Sequence, residues 1–235
     1  MISVCIATYN GEEYLPQQLD SVLKNVSSND EIIISDDGST DSTKGIIEKY
    51  QRAHRNIRLI DGPHKGVIFN FENAIRQARG DYIFLCDQGD ICENNKVERV
   101  ISTFESTGCT VVIHDASIIN GSGERIEDSF YSHRNSKAGF WKNLVFNSYL
   151  GCCMAFSRTL KKYLIPFPED CGMHDWWIGL VSEVKGKSVF IDDKLIRYRR
   201  HDHNVSSMHH TGMLNMIKIR FLAFKDVIIR CLRVK

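Results

Sequence analysis

The residues best suited to chemistry sit where apolar runs stop. Residues 81–92 read DYIFLCDQGDIC: the run Tyr82-Ile83-Phe84-Leu85-Cys86 ends at Asp87, and Asp90 follows after Gln88 and Gly89. Hard carboxylate oxygens at this spacing suit a magnesium or manganese ion that holds a diphosphate. The plain alternative is a polar turn. A second carboxylate pair, Asp36-Asp37, closes the apolar run of DEIIISDDGSTD. Asp and Gly-Ser are equally apt as turn formers and helix caps, so one carboxylate could cap while the other stays open to a ligand. A third polar cluster, Thr8-Tyr9-Asn10, ends the run ISVCIA.

These clusters need elements that deliver them to one place. ISVCIATYN, DEIIISDD, NIRLIDG, DYIFLCDQGD and CTVVIHDASII read as short buried strands. The segments between them carry apolar residues at helical spacing, as in EEYLPQQLDSVLK with Leu15, Leu19, Val22 and Leu23. Strand and helix alternate to about residue 119, which predicts an α/β fold with a mostly parallel central sheet covered by helices. Ligands of such sheets bind outside the carboxyl ends of the strands, the edge on which all three clusters fall. From residue 120 the rhythm changes to loops, aromatics and the break PFPED, then a helical HDWWIGLVSEVKG and a strand SVFIDDKLIRYRRH with a basic end. A cationic helix closes the chain.

Composition narrows the function classes. At 235 residues, 43% hydrophobic and 25% charged, the chain can bury a real core. A formal net charge of +1 gives no global field toward nucleic acid, so any bound anion needs local cations. The eight cysteines form no C-x-x-C, and Met1 leads straight into a strand-like run without a secretory signal. Reduced thiols and a cytoplasmic location are therefore expected. No apolar run approaches the ~20 residues of a spanning helix. The N-terminal half lacks both G-x-G-x-x-G and G-x-x-x-x-G-K-[ST], which argues against a dinucleotide or P-loop fold.

With these residues in view, the sequence resembles the family 2 glycosyltransferases of GT-A fold, nearest to a bacterial rhamnosyltransferase-like branch. The resemblance is carried by SVCIATYNGEEYLPQQLDSVL, IIISDDGSTDST, GVIFNFENAIRQARGDYIFLCDQGDI and HDWWIGL, in that order. It implies an inverting transferase acting on a nucleoside-diphosphate sugar. It also implies a GT-A domain over residues 1–207, with a nucleotide-sugar half (1–119) and an acceptor half (120–207). Thr8, Tyr9, Asp36 and Asp37 are implied at the base and ribose, with Lys65 and Asn70 approaching the nucleotide; Lys65 is equally apt as a solvated surface lysine. The branch has D-Q-D-D where this chain has Asp87-Gln88-Gly89-Asp90, so a usual metal-ligating aspartate is Gly89. Asp87 is implied at the ribose or a metal-bound water. Asp90 could take over ligation of a magnesium or manganese ion if the glycine tightens the turn.

The same resemblance assigns Asp175 as general base toward the acceptor hydroxyl, with His174 positioning. Trp176 and Trp177 would desolvate Asp175 and join the acceptor contacts; the alternative is that Asp175 caps a helix of core tryptophans. Gly151 would give close backbone approach on the acceptor side. RYRRH matches a Y-R-x-H segment, which assigns His201 to the metal or the diphosphate, beside the extra cations Arg199 and Arg200. The expected partners are a nucleoside-diphosphate sugar and a lipid-linked or oligosaccharide acceptor of a growing bacterial surface glycan. The alternative is a catalytically impaired sugar-nucleotide-binding or scaffolding relative, which Gly89 favours. In the terminal segment 208–235, Leu214, Ile217, Phe221, Phe224, Ile228 and Leu232 recur at helical spacing beside Lys218 and Lys225. That pattern fits an amphipathic helix held either at an anionic membrane, at the inner face of the cell membrane, or against protein.

Overall fold

The computed structural model describes residues 1–200 and 213–234, and in its last helix the side chains from Met216 on. Strand β1 (Ile2–Thr8) is buried along its whole length, as a strand covered on both faces must be. Strands β2 (Glu31–Asp36), β3 (Ile57–Asp61) and β4 (Tyr82–Asp87) pair with it in parallel, in the order β3-β2-β1-β4. Their connections are the amphipathic helices α1 (Leu15–Leu23), α2 (Thr43–Ala53) and α3 (Val67–Gln77), whose apolar residues face the sheet. Register sets the site: Thr8 lies opposite Asp36 and Ala7 opposite Asp87, so three strands end at one level.

Beyond β4 come the short β5 (Ile91–Cys92), α4 (Lys96–Thr107), β6 (Val111–Ile119) and β7 (Arg125–Glu127). Then follow α5 (Phe130–Arg134), α6 (Phe140–Val145), β8 (Met154–Ser157), α7 (Lys161–Leu164), α8 (His174–Lys185) and β9 (Ser188–Arg199). Among the described residues the strands form one nine-stranded sheet, β3-β2-β1-β4-β8-β6-β9-β5, with β7 on β6. The parallel half matches the expectation from pattern. The fifth expected strand, β6, does not continue it: β8 inserts between β4 and β6 and runs antiparallel to both. β8 therefore brings the segment Leu150–Cys153 that precedes it to the carboxyl end of β4. Strand β5, next in sequence to the Asp87–Asp90 turn, pairs with the far end of β9 and ties that turn to Arg199.

The last helix, α9 (Met213–Arg233), docks on the domain. Val227 and Cys231 are buried there, and the Arg230 guanidinium donates to the carbonyls of Tyr163, Leu164 and Pro166. No helix among the described residues is long and apolar enough to cross a membrane.

Candidate active site

The carboxyl ends of β1, β2 and β4 open on a cleft of about 850 Å³ whose opposite wall is the segment before β8 and the start of α8. Thr8, Tyr9, Asp37 and Asn70 line one side; Asp87, Gln88 and Asp90 form the floor; Leu150, Gly151, His174 and Asp175 close the other.

The adjacent aspartates at the end of β2 divide their work. Asp36 is fully buried and accepts from Thr8 Oγ1 (2.9 Å), Ser39 Oγ (2.6 Å) and the amides of Gly38 (3.2 Å) and Ser39 (2.9 Å). It builds the turn and does not reach the cleft wall, which corrects its expected place at the nucleotide. Asp37 does line the cleft, and its two oxygens accept the amides of His64 and Gly66, each at 2.7 Å. Lys65 is exposed between those two residues and is not on the wall. Asn70 donates to the carbonyls of Ser35 (2.8 Å) and Thr8 (3.3 Å), while its Oδ1 is buried with no partner among the described residues.

Gly89 has φ +98°, a conformation that L side chains rarely adopt, so the glycine permits the turn between Asp87 and Asp90. The turn brings oxygens of Asp87 and Asp90 and the Cys152 sulfur within 4.8 Å of one another. Burial pushes the Asp87 carboxyl up to about 6, against the opposing charge of the buried Lys96 and the Cys152 amide. Burial and then the Asp87 charge push Asp90 well above the usual carboxylate range. Asp90 Oδ1 accepts the Arg199 amide (2.9 Å), and its Oδ2 is buried without a partner among the described residues. Two converging carboxylates with an oxygen to spare fit a hard divalent cation; the thiol would be a poor ligand for one.

Arg199 holds this turn from behind. Its guanidinium donates to the carbonyls of Gly89 (2.8 Å) and Gly121 (2.7 Å) and to Gln17 Oε1 (2.7 Å), and lies over the Tyr14 ring. It is buried and off the cleft wall, so its expected role at the diphosphate is corrected to a clamp on the turn. Arg200 is half-buried, with its amide on Ile119. His201 lies outside the described residues.

Across the cleft, Asp175 sits in the first turn of α8 and accepts the Trp176 amide at 2.6 Å. Burial pushes its carboxyl up to about 7, with the Asp87 charge adding to the rise and the Trp176 and Gly151 amides opposing it. His174 stacks on Phe71 (4.2 Å between ring centres), and neither of its ring nitrogens has a partner among the described residues. Burial drives its pKa down to about 3, so the ring is neutral. A Cβ on Gly151 would fall 2.5 Å from His174 Nε2, so only glycine allows this approach. Trp176 and Trp177 do not line the cleft. Their indole N–H groups donate to Asn143 O (2.7 Å) and Leu164 O (3.0 Å), which corrects them from acceptor contacts to core residues behind Asp175.

Sequence reasoning missed Gln88, whose amide pairs reciprocally with the Tyr9 backbone at 2.9 Å both ways and joins the first and fourth strand ends. It also missed Lys96, buried beneath the turn with Nζ on Cys152 O at 2.7 Å. A lysine that opens an amphipathic helix carries no signal of burial.

A curled, mostly parallel sheet whose strand ends meet one carboxylate-lined cleft defines a GT-A glycosyltransferase fold. The chain belongs to glycosyl transferase family 2, whose profile matches residues 3–164. It is 29% identical over 222 residues to the glycosyltransferase GlyG of Streptococcus pneumoniae serotype 4, covering 85% of this chain and 71% of that protein. It is 26% identical over 219 residues to the dTDP-rhamnosyl transferase RfbG of Shigella flexneri, covering 85% and 72%. Among solved structures, S. aureus TarS in complex with UDP-GlcNAc superposes with a TM-score of 0.74 at 20% identity, over 96% of this chain and 66% of TarS. The mannosyltransferase PcManGT of Pyrobaculum calidifontis, in complex with GDP-Man and Mn2+, gives 0.64 at 17%, over 99% of this chain and 64% of that one. The chain thus spans just under two thirds of those two structures.

Proposed function

We propose that the protein transfers one sugar, a deoxyhexose such as rhamnose, from a nucleoside diphosphate to a hydroxyl of a growing bacterial surface glycan, with inversion. The carrying observation is the opposition of Asp175 to Asp87 and Asp90 across one cleft, with the Asp175 carboxyl raised to about 7. A base of that pKa accepts a proton at neutral pH. The acceptor oxygen bonds to the anomeric carbon, the bond from that carbon to the diphosphate breaks, and the hydroxyl proton passes to Asp175. Thr8, Tyr9, Asp37 and Asn70 would hold the nucleoside. Asp87 and Asp90 would hold a magnesium or manganese ion, which supplies charge neutralisation for the diphosphate when bound. His174, neutral and with no partner for its ring nitrogens among the described residues, would donate to or accept from a sugar hydroxyl beside Gly151. Rhamnose is favoured by the similarity to RfbG. The acceptor would be lipid-linked, at the cytoplasmic face of the membrane.

A second reading, a sugar-nucleotide-binding protein without turnover, is favoured by Gly89 and by the commitment of Arg199 to backbone carbonyls. Incubation with a panel of nucleoside-diphosphate sugars, with and without manganese, separates the two. Transfer or slow release of the nucleoside diphosphate supports the transferase. Calorimetric binding without any release, with acceptor glycans present, supports the second reading. No binding of any sugar nucleotide sinks both.

A further inference from the structure

Short helix α6, with Phe146 just after it, packs beside the described first turns of α9, and both carry exposed apolar side chains. Trp141 is 68% exposed, Val145 43%, Phe146 72%, Ile217 58% and Phe221 65%. The two helices are fixed to each other: Trp141 stacks on Phe224 at 5.7 Å, and the Arg220 guanidinium donates twice to Val145 O, at 2.9 and 2.6 Å. Five large apolar side chains thus project from a rigid base. Isolated exposed apolar residues need no explanation, but a clustered set on one face marks a contact surface.

The charge around this face selects its partner. Arg134, Lys137 and Lys142 lie in and just before α6, in a stretch without aspartate or glutamate from Ser129 to Pro168. The nearest acid in sequence past that stretch to line the groove beside α9 is Asp170, in the groove that Ala223 also lines. Lys137, Lys218 and Lys225 are exposed. On a wheel of 100° per residue, Ile217, Phe221 and Leu232 fall within about 60°, with Lys225 and Lys218 next along the arc. The single acid of the described α9, Asp226, is half-buried against the groove at Trp176 and Trp177. Bulky apolar groups with a cationic border, a tryptophan among them, match the headgroup boundary of an anionic bilayer.

We infer that α6 and α9 together form the docking surface for an anionic lipid membrane, with Trp141, Phe146 and Phe221 as its apolar anchors. The surface differs from the expected stripe along α9 alone. Phe224 of that stripe is packed against Phe140 and Trp141 of α6, while of the three anchors Trp141 comes from α6 and Phe146 from the residue that ends it. Placement favours the reading of a lipid-linked acceptor: Phe146 is four residues before Leu150 on the cleft wall, so a bilayer at this face lies beside the acceptor side of the cleft. Docking through this face does not depend on sugar transfer.

The test uses the full chain with vesicles of phosphatidylcholine, with and without phosphatidylglycerol. Co-sedimentation with the anionic vesicles is expected, and little with the neutral ones. Trp141 is the exposed one of three tryptophans, so lipids brominated in the acyl chain should quench its emission while the buried Trp176 and Trp177 keep theirs. Phe146→Ser and Phe221→Ser each remove an exposed ring without opening the core. Each should cut partitioning by about tenfold, the effect of losing one interfacial aromatic. Binding of a nucleoside diphosphate by calorimetry should not change, because neither residue lines the cleft. Equal partitioning of the wild-type chain onto both vesicle types would overturn the inference. So would a dimer in sedimentation velocity that Phe146→Ser dissolves, because a second copy would then be what covers this face.

Discussion

Asp175 combines two effects that can be measured against each other. If it is the base, turnover should fall about tenfold per pH unit below about 7 and level off above it, because the ionised form accepts the proton. Asp175→Asn should lower turnover by roughly 10²–10⁴-fold with nucleoside-diphosphate affinity unchanged. The sign for stability is opposite. The folded carboxyl holds its proton between the ordinary 3.8 and about 7, where the unfolded one has lost it, so stability declines as pH rises through that window. Asp175→Asn should therefore raise the melting temperature at pH 8 while it removes transfer. A variant that melts lower and keeps near-normal turnover would assign Asp175 to structure. At Gly89 the backbone decides. A Cβ there meets Tyr14 at an ordinary 3.5 Å, but φ +98° makes any side chain strained, by about 1 kcal/mol. Restoring an aspartate must be compared with alanine, which carries the same strain without the carboxylate. Gly89→Asp should bind a nucleoside diphosphate more tightly than Gly89→Ala when manganese is present. Equal affinities would mean that Asp90 already serves, or that the site works without metal.

At the scale of elements, the parallel half of the sheet was legible because β1, β2 and β4 each hold a short apolar run, with the amphipathic helices α1, α2 and α3 in the connections between β1 and β4. The insertion of β8 was not. Met154–Ser157 is four residues long, and both its partners lie far away in sequence, so periodicity cannot register it. The candidate site divides in the same way. Carboxylates at strand ends are visible in a sequence, but whether Asp36 or Asp37 faces the cleft depends on the turn that Ser39 and Gly38 close. The basic end of β9 misled for a related reason: Arg199 looks like an anion ligand until the carbonyls of Gly89 and Gly121 are seen to need a donor. This gives a clean discrimination. Arg199→Gln should destabilise the fold by about 3 kcal/mol, because several buried acceptors lose their donor. It should weaken nucleotide binding only as far as the turn loosens. A large loss of diphosphate affinity at unchanged melting temperature would return Arg199 to the ligand.

For the molecule as a whole, the cleft has one wall from residues before 91 and the other from residues after 149, and the packing of the second wall includes α9. α8 carries Asp175 at its first turn and is held from outside by α9, through Val227, Cys231 and the Arg230 guanidinium over Trp177 at 5.3 Å. Trp177 is two residues after Asp175 on the same first turns of α8. A terminal helix that served only as a tether could be removed without effect on the domain; this one covers part of its core. Val227→Ala should thus cost about 2 kcal/mol, the loss of two methylene equivalents plus a small cavity. For a domain of this size that is a fall of about 4–8 °C in melting temperature. A chain ended after residue 207 should melt lower still and expose Trp176 and Trp177, seen as a red shift of their emission. It should also lose turnover before nucleotide affinity, because α9 supports the wall of Asp175 and not that of Asp37. A truncated chain with unchanged melting temperature and activity would show that α9 is a separate appendage, whatever surface it presents.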